Sequence, residues 1–224
     1  MKRPLGQHLW YKLVRASAVI FSVILFRVRA HGRHYQPTEG AVLVVANHQS
    51  HLDPPLIGML CYRHLNFLAR ESLFHFFLLR WLIRSLGSIP IDRDGIGLSG
   101  IKETLRRLKR GEMVLVFPEG SRSPDGQVGV LKPGFCALAR RGGVQVLPVA
   151  IAGAFEAWPR NCRFPRPRTV QIQFGHPLTP AQIGGYSDEE LIAEIRRRLI
   201  DCHSAAASRL LRADDFHEAS CPGS

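Results

Sequence analysis

The sequence predicts a layered α/β/α domain, in which helices cover a mostly buried mixed β-sheet and a membrane-interface helix precedes the sheet. Short apolar runs alternate with segments of helical periodicity, and a capping box opens the last of these segments at Ser187. The chain has 224 residues, which suits one medium domain. Hydrophobic residues make up 46% of the chain and charged residues 21%, which excludes a disordered chain.

Each predicted element has a local sequence signal. Short apolar or alternating runs predict strands at residues 41–46, 64–69, 89–91, 113–117, 144–151 and 169–174. Apolar or amphipathic periodicity predicts helices at 73–86, 101–110 and 187 to about 200, and Pro54-Pro55 opens a further one. Pro148 lies inside a predicted strand, so we expect an edge strand or a bulge near a pocket there.

The N-terminal segment is predicted to lie at a membrane interface. Its apolar run, residues 16–26, is shorter than the roughly 20 residues that a hydrocarbon core of ~30 Å requires. Trp10 and Tyr11 among its apolar residues, with arginines at both ends, favour an interfacial anchor, although a buried helix is the alternative. Arg27 and Arg29 stand where a signal peptide needs a small, uncharged cleavage region, which disfavours cleavage.

The charge of the chain predicts an anionic partner. Its 30 Lys and Arg residues exceed its 18 Asp and Glu residues, so the formal net charge is +12. Nucleic acid is disfavoured, because the aromatic residues lie in apolar runs and not beside Lys or Arg in a stacking platform. Five cysteines without CxxC spacing disfavour a disulfide framework and a zinc ribbon, and they fit a reducing compartment.

One glycine motif suggests a different class of protein. Residues 95–100 match GxGxxG, a helix is predicted after them, and Glu119 follows about 20 residues on, as in a dinucleotide-binding fingerprint. However, residues 92–94 separate these glycines from the preceding strand, so the pyrophosphate contact would be lost. We therefore favour an ordinary loop and keep a dinucleotide-binding oxidoreductase as the alternative.

Signatures of covalent catalysis are absent from the sequence. It contains neither a GxSxG elbow nor a GxxxxGK[ST] loop. Cys202-His203 is the one place where a cysteine adjoins a histidine, and we expect this pair near the C-terminal end of a surface helix. A hydrolase with a protein nucleophile is therefore unsupported.

A histidine and an aspartate follow the first predicted buried strand. His48 and Asp53 lie in the segment NHQSHLD, where a rigid scaffold presents loop side chains. A histidine accepts a proton near neutral pH, and a carboxylate beside it fixes the tautomer and stabilises the imidazolium. Such a pair can activate a substrate hydroxyl. A loop histidine that an aspartate merely caps is the alternative interpretation.

Four segments in order resemble the blocks of a known family. They read NHQSHLD (47–53), GSIPIDR (87–93), FPEGSRS (117–123) and LPV (147–149). They resemble the NHxxxxD, GxxFIDR, FPEGTRS and VPV blocks of the phosphatidic-acid-forming 1-acylglycerol-3-phosphate O-acyltransferases, and Lys132-Pro-Gly matches a further block. The resemblance covers about half of the chain, residues 41–151. The sequence departs from the family pattern at Pro90, Ser121 and Leu147.

The resemblance implies a role for individual residues. It makes His48 the general base and Asp53 the residue that orients it. The implied substrate-binding residues are Arg93, Glu119, Gly120, Ser121, Arg122 and Lys132, with the cations on a phosphate. Asn47, Pro118 and Pro148 support these motifs. No metal and no resident cofactor are expected, because the acyl carrier is a co-substrate.

The resemblance also implies an activity and its surroundings. An acyl group would pass from acyl-CoA or acyl carrier protein to the hydroxyl of a lysophospholipid, with lysophosphatidic acid the first choice and a lyso-aminolipid an alternative. The enzyme would lie on an anionic membrane surface, at the cytoplasmic face of the inner membrane. We expect the membrane-anchoring helix at 1–35, the catalytic domain at 36–204 and a frayed polar tail at 205–224.

Overall fold

The computed structural model describes residues 25–70, 89–91, 98–159, 162 and 164–219. Within these ranges, side chains are described for residues 25–67, 100–159, 162 and 164–212. The predicted helix at 73–86 and the apolar run up to residue 24 lie outside the described residues.

The described residues form one mixed sheet of seven strands. The strands are β1 (Arg29–His31), β2 (Val42–Ala46), β3 (Leu65–Arg70), β4 (Ile89–Ile91), β5 (Met113–Val116), β6 (Gln145–Ala152) and β7 (Gln171–Phe174). Their order across the sheet is β1-β7-β6-β2-β5-β3-β4. Neighbouring strands run parallel except β6 and β7, which are antiparallel. The predicted mixed sheet is therefore confirmed.

Helices cover both faces of this sheet. They are α1 (Asp53–Leu60), α2 (Leu98–Lys109), α3 (Gly134–Gly142), α4 (Ala154–Ala157), α5 (Pro180–Gly184) and α6 (Asp188–Ala219), with a 3-10 turn at Arg33–Tyr35. Residues of α1 and α4 belong to the apolar cluster on one face, and residues of α2, α3, α5 and α6 to the cluster on the other. The predicted α/β/α layering is confirmed.

Strand β2 shows why the sequence of this sheet is so uniformly apolar. Val42, Val44 and Ala46 pack into one cluster, whereas Leu43 and Val45 pack into the other. Successive side chains point to opposite faces, and both faces are covered, so every position must be apolar. Its neighbours β5 and β6 lie on its two sides.

The connections place three loops at one edge of the sheet. The chain leaves β5 on one side of β2 and enters β6 on the other, so the strand order reverses around β2. In such parallel sheets, ligands bind outside the carboxyl ends of the strands at this reversal. The segments 47–52, 117–133 and 153–170 follow the carboxyl ends of β2, β5 and β6.

The sheet begins earlier in the chain than we predicted. Residues 29–35, assigned above to an N-terminal helix, form β1 and the 3-10 turn, and β1 pairs with β7. Phe26 is buried in the core. A strand of three residues is too short to show periodicity, and its pairing with β7 across about 140 residues cannot be read locally.

The last helix is longer than we predicted. The capping box is present, since the Glu190 N–H donates to Ser187 Oγ (3.2 Å) and the Ser187 N–H donates to the Glu190 carboxylate (2.7 Å). The helix does not end near residue 200 but continues to Ala219, so residues 205–219 are helical and not a frayed tail. Alanines at 205–207 favour helix, and Ala206 is buried.

Pro148 marks a bulge, as predicted, but the strand is interior and not an edge. Val149 of β6 pairs with Phe174 of β7, whereas Val146 of β6 pairs with Leu178 beyond the end of β7. The segment from Phe174 to Leu178 therefore carries one residue more than the segment of β6 that it faces. The Gly175 N–H still donates to the Pro148 carbonyl oxygen (2.9 Å). Since proline has no N–H, it fits where the ladder is already interrupted.

We expect Gly32→Ala to destabilise the protein by about 3 kcal/mol, because two costs combine there. Gly32 has φ +69°, and an added Cβ would overlap the Phe174 carbonyl oxygen. Gly143→Ala is the matched control, since Gly143 has φ +57° with open space around it, and its cost should be about 1 kcal/mol. Urea unfolding of both variants measures the difference, and equal losses would contradict this account of β1.

Candidate active site

A histidine and a buried carboxylate meet at the carboxyl end of β2. His48 Nδ1 lies 2.8 Å from Asp53 Oδ2, and Asp53 is the first residue of α1. A carboxylate oxygen only accepts, so Nδ1 carries the hydrogen and Nε2 of the neutral ring carries the free lone pair. The Phe117 ring stacks on the imidazole with centroids 4.0 Å apart. The imidazole of His48 is thus held by a hydrogen bond at its edge and by a ring contact on its face.

The backbone holds Asp53 in place. The N–H groups of Gln49 and Ser50 donate to Asp53 Oδ2 at 2.6 Å and 2.8 Å. Hydrogen bonds to a charged acceptor are stronger than those between neutral groups. The other oxygen, Oδ1, is buried and accepts no hydrogen bond from the described residues. The loop therefore wraps around the carboxylate that orients His48.

Asn47 fastens the start of this loop to the sheet. Its side-chain amide donates to the Ile151 carbonyl oxygen (3.0 Å) and accepts from the Ile151 N–H (2.8 Å). The amide therefore replaces one backbone pair and extends the ladder between β2 and β6. This supporting position, expected for Asn47 from the motif, is a rigid one, because both groups are buried.

The segment after β5 packs directly against the histidine loop. The Ser123 N–H donates to the His48 carbonyl oxygen (2.6 Å), and the His48 N–H donates to Glu119 Oε1 (3.4 Å). The Lys132 N–H donates to the Pro118 carbonyl oxygen (2.9 Å), which closes this segment on itself. Two motifs separated by about 70 residues are thus brought into contact.

Glu119 is a buried acid beside the dyad. Only 8% of it is exposed, and burial raises the pKa of its carboxyl to about 7. Hydrogen bonds from the backbone of His48 and Gly129 oppose this rise in the pKa. The carboxyl therefore faces the backbone of the histidine loop as well as the cavity described next.

An open cavity of about 420 Å³ is lined in part by Glu119 and Ser123, which contact the backbone of His48. Its lining includes four of the predicted substrate-binding residues, namely Glu119, Ser121, Arg122 and Lys132. Gly120 lies beside it with φ +74°, and an added Cβ there would stand 2.8 Å from Lys132 Nζ. Two cations thus face one cavity, although His48 is not among its lining residues. Arg93, the remaining predicted binding residue, lies outside the described residues.

Sequence reasoning missed the support for the dyad. We did not anticipate Phe117 as a stacking partner or Gln49 as a contact of the C-terminal helix. The pair Cys202-His203 does not lie near the C-terminal end of its helix, since α6 continues to Ala219, and both side chains are buried. A histidine beside small and apolar residues in the last helix was the one available signal.

Comparisons with known proteins agree with this architecture. The acyltransferase family profile matches residues 27–152, more than half of the chain. A 1-acyl-sn-glycerol-3-phosphate acyltransferase of Pseudomonas aeruginosa is 31% identical over 84% of this chain and 74% of its own length. The crystal structure of PlsC, the 1-acyl-sn-glycerophosphate acyltransferase of Thermotoga maritima, matches with a TM-score of 0.78 and 29% identity, over 90% of this chain and 82% of that one.

The fold and the site define a three-layer α/β enzyme whose site lies at the carboxyl edge of its parallel strands. The chain belongs to the acyltransferase family. A chloroplastic relative, the 1-acyl-sn-glycerol-3-phosphate acyltransferase LPAT1 of Arabidopsis thaliana, is 29% identical over 60% of this chain. The match spans 38% of that relative's length, so this chain corresponds to just over a third of it.

Burial of Glu119 predicts a pH-dependent contribution to stability. Its folded pKa of about 7 lies above the ordinary value of 4.5, so the folded state binds more protons between these pH values. The free energy of unfolding should therefore fall as pH rises from about 4.5 to about 7, by an amount on the order of 2 kcal/mol. Glu119→Gln should lack this component.

Urea unfolding at pH 5 and pH 8 tests this prediction when wild type and Glu119→Gln are compared, because the other titrating groups then cancel. Glu39→Gln, which alters an exposed glutamate, serves as the control. An equal pH dependence in wild type and Glu119→Gln would contradict the assignment.

Proposed function

We propose that this acyltransferase moves an acyl group from an acyl thioester to the free hydroxyl of a lysophospholipid, with His48 as general base and Asp53 as the residue that orients it. The observation that carries the proposal is the 2.8 Å contact between His48 Nδ1 and Asp53 Oδ2, which leaves Nε2 as the proton acceptor.

The proposed reaction needs no protein nucleophile and no resident cofactor. His48 Nε2 takes the proton of the acceptor hydroxyl while the oxygen bonds to the thioester carbonyl carbon. The carbon–sulfur bond then breaks, and the departing thiolate recovers the proton from the imidazolium. A thiol has a pKa near ~8.5, so its thiolate is a good leaving group with little acid assistance. The carboxylate of Asp53 stabilises the imidazolium as it forms.

The cavity supports a phosphorylated acceptor. Arg122 and Lys132 both line it, and the guanidinium fork of arginine suits the oxygens of a phosphate. Arg93 is proposed as a third cation from its motif alone. The relatives named above act on 1-acyl-sn-glycerol 3-phosphate by their printed names, and this favours lysophosphatidic acid over a lyso-aminolipid here. Acyl-CoA and acyl carrier protein remain the two proposed donors.

The dinucleotide-binding alternative has less support. Glu119, which that fingerprint would place on a ribose hydroxyl, instead accepts hydrogen bonds from backbone N–H groups of the histidine loop and of Gly129. Residues 95–97 of the glycine motif lie outside the described residues, and residues 98–100 form the start of α2. The family match favours acyl transfer.

We further propose that the carboxyl edge of the sheet faces an anionic membrane. The two most exposed large hydrophobic side chains among the described residues are Val130 (82%) and Phe164 (71%), and they follow β5 and β6 at this edge. Exposed cations lie close to them in sequence, at Lys132, Arg166 and Arg168. Apolar tips flanked by cations suit an interface with anionic lipids.

Among the described helices, none has the length and apolar character to cross a bilayer. None of the described cysteines, Cys61, Cys136, Cys162 and Cys202, forms a disulfide bond, which fits the proposed cytoplasmic face of the inner membrane.

We expect His48→Ala to lower acyl transfer by about 10³-fold, and Asp53→Asn by about 10²-fold or more, because each removes part of the base. The measurement is acceptor-dependent thiol release from acyl-CoA with lysophosphatidic acid. His51→Ala is the matched control, an exposed histidine in the same loop, and its rate should stay within about threefold of wild type. Full activity in His48→Ala would refute the mechanism.

The same assay separates the proposed substrates. Acyl carrier protein replaces coenzyme A as donor, and glycerol 3-phosphate and a lyso-aminolipid replace lysophosphatidic acid as acceptor. Faster release with a lyso-aminolipid would reject the acceptor proposed here but keep acyl transfer. No release with any pair would reject the proposed function.

We expect the double variant Val130→Ser/Phe164→Ser to bind anionic vesicles about tenfold more weakly than wild type, because it removes two exposed apolar contacts. Co-sedimentation of the full chain with vesicles of phosphatidylglycerol and phosphatidylcholine measures this. Leu211→Ser is the control. Leu211 is 67% exposed and lies on α6, far along the chain from the segments that follow β5 and β6. Equal binding by the double variant and wild type would reject this membrane-facing edge.

A further inference from the structure

A buried polar contact joins the dyad loop to the C-terminal helix. Gln49, the residue after His48, is almost fully buried, and so is His203 in α6. Gln49 Nε2 lies 3.2 Å from His203 Nε2. The catalytic proposal makes no use of this contact, which links residues about 150 positions apart.

The neighbours of Gln49 determine which way its amide points. The Phe155 N–H donates to Gln49 Oε1 (3.3 Å), so this atom must be the oxygen. On the other side, Gln49 Nε2 donates to the Gly126 carbonyl oxygen (2.5 Å). A flipped amide would set its oxygen against the Gly126 carbonyl and its NH₂ group against the Phe155 N–H. The orientation is therefore the one that satisfies all three groups.

This orientation dictates the state of His203. An amide NH₂ group only donates, so a hydrogen bond between these two atoms requires His203 Nε2 to accept and to carry no hydrogen. The neutral ring then has its hydrogen on Nδ1. Burial lowers the pKa of His203, which favours the neutral ring, whereas the Glu156 carboxylate on α4 and the Gly126 carbonyl act in the opposite direction.

We propose that His203 is a positioning residue for the His48–Asp53 dyad, acting through Gln49. His203 fixes the Gln49 side chain, and the backbone N–H of Gln49 donates to Asp53 Oδ2 at 2.6 Å. Asp53 in turn orients His48. The inference rests on the proposed function, since it assumes that this dyad is the base.

The side chain of Gln49 contacts three separate parts of the chain. Gly126 belongs to the segment after β5, Phe155 lies in α4 after β6, and His203 lies in α6. Of these parts, α6 packs against β6 and β7. A side chain with three fixed neighbours holds its backbone more tightly than a loop alone, and catalytic geometry tolerates little displacement.

The test compares two replacements of His203. His203→Leu fills the buried site with an apolar side chain and removes the acceptor, and we expect kcat to fall about tenfold with KM for both substrates nearly unchanged. His203→Gln restores an acceptor oxygen at a similar distance, and kcat should recover to within about threefold of wild type. Cys202→Ala is the matched control, since it alters the adjacent buried residue of α6.

A double-mutant cycle tests whether His203 acts through Gln49. Gln49→Leu should lower kcat, and adding His203→Leu should lower it no further, because the contact is already lost. Additive losses would mean that His203 stabilises the fold by another route. A kcat in His203→Leu equal to that of Cys202→Ala would likewise overturn the proposal.

A measurement without turnover separates this inference from the proposed function. In protein labelled with ¹⁵N-histidine, the Nε2 resonance of His203 is assigned by its loss in His203→Leu. We expect the shift of an unprotonated ring nitrogen at neutral pH, and a change of that shift in Gln49→Leu. A protonated Nε2 would overturn the inference even in an active enzyme. An unprotonated Nε2 in a protein without transferase activity would reject only the proposed function.

Discussion

The buried carboxylate of Asp53 is the group on which the site depends. One of its oxygens accepts hydrogen bonds from the His48 ring and from the N–H groups of Gln49 and Ser50, so a single acceptor sets the conformation of the whole loop. A buried carboxylate that lost these donors would be strongly destabilised. The conformation of the loop and the orientation of His48 therefore depend on the same carboxylate. The remaining contacts, from the Asn47 amide to the segment after β5, fasten this unit to the sheet.

The strands could be predicted because burial on both faces leaves an unmistakable apolar signature, as β2 shows with Val42–Ala46. The location of the dyad could be predicted for a related reason, since side chains that follow buried parallel strands collect at one edge. Strand β1 could not, because its pairing with β7 is set by residues far along the chain. The full length of α6 was hidden as well, since its second half mixes small, polar and charged residues without a sustained stripe.

The polar contacts around the site could not be predicted from the sequence. Nothing in the order of residues shows that Gln49 meets a histidine of the last helix, because side-chain contacts over such separations depend on the completed fold. The same holds for Glu119, where the motif indicates an acid near the substrate but only the packing shows that it is buried against the backbone of the histidine loop. Local patterns thus indicated the candidate residues, and the tertiary structure supplies their environment.

The bulge opposite Pro148 also changes which side of the molecule the chain enters. Ile172 and Phe174 pack into one apolar cluster, but Leu178, four positions after Phe174, packs into the other. In a regular strand these three positions would share a face, because side chains alternate with a period of two. The one extra residue reverses the alternation and delivers the chain to the opposite layer, where α5 and α6 follow. A single inserted position therefore places α5 and α6 on the opposite face of the sheet without a crossover loop.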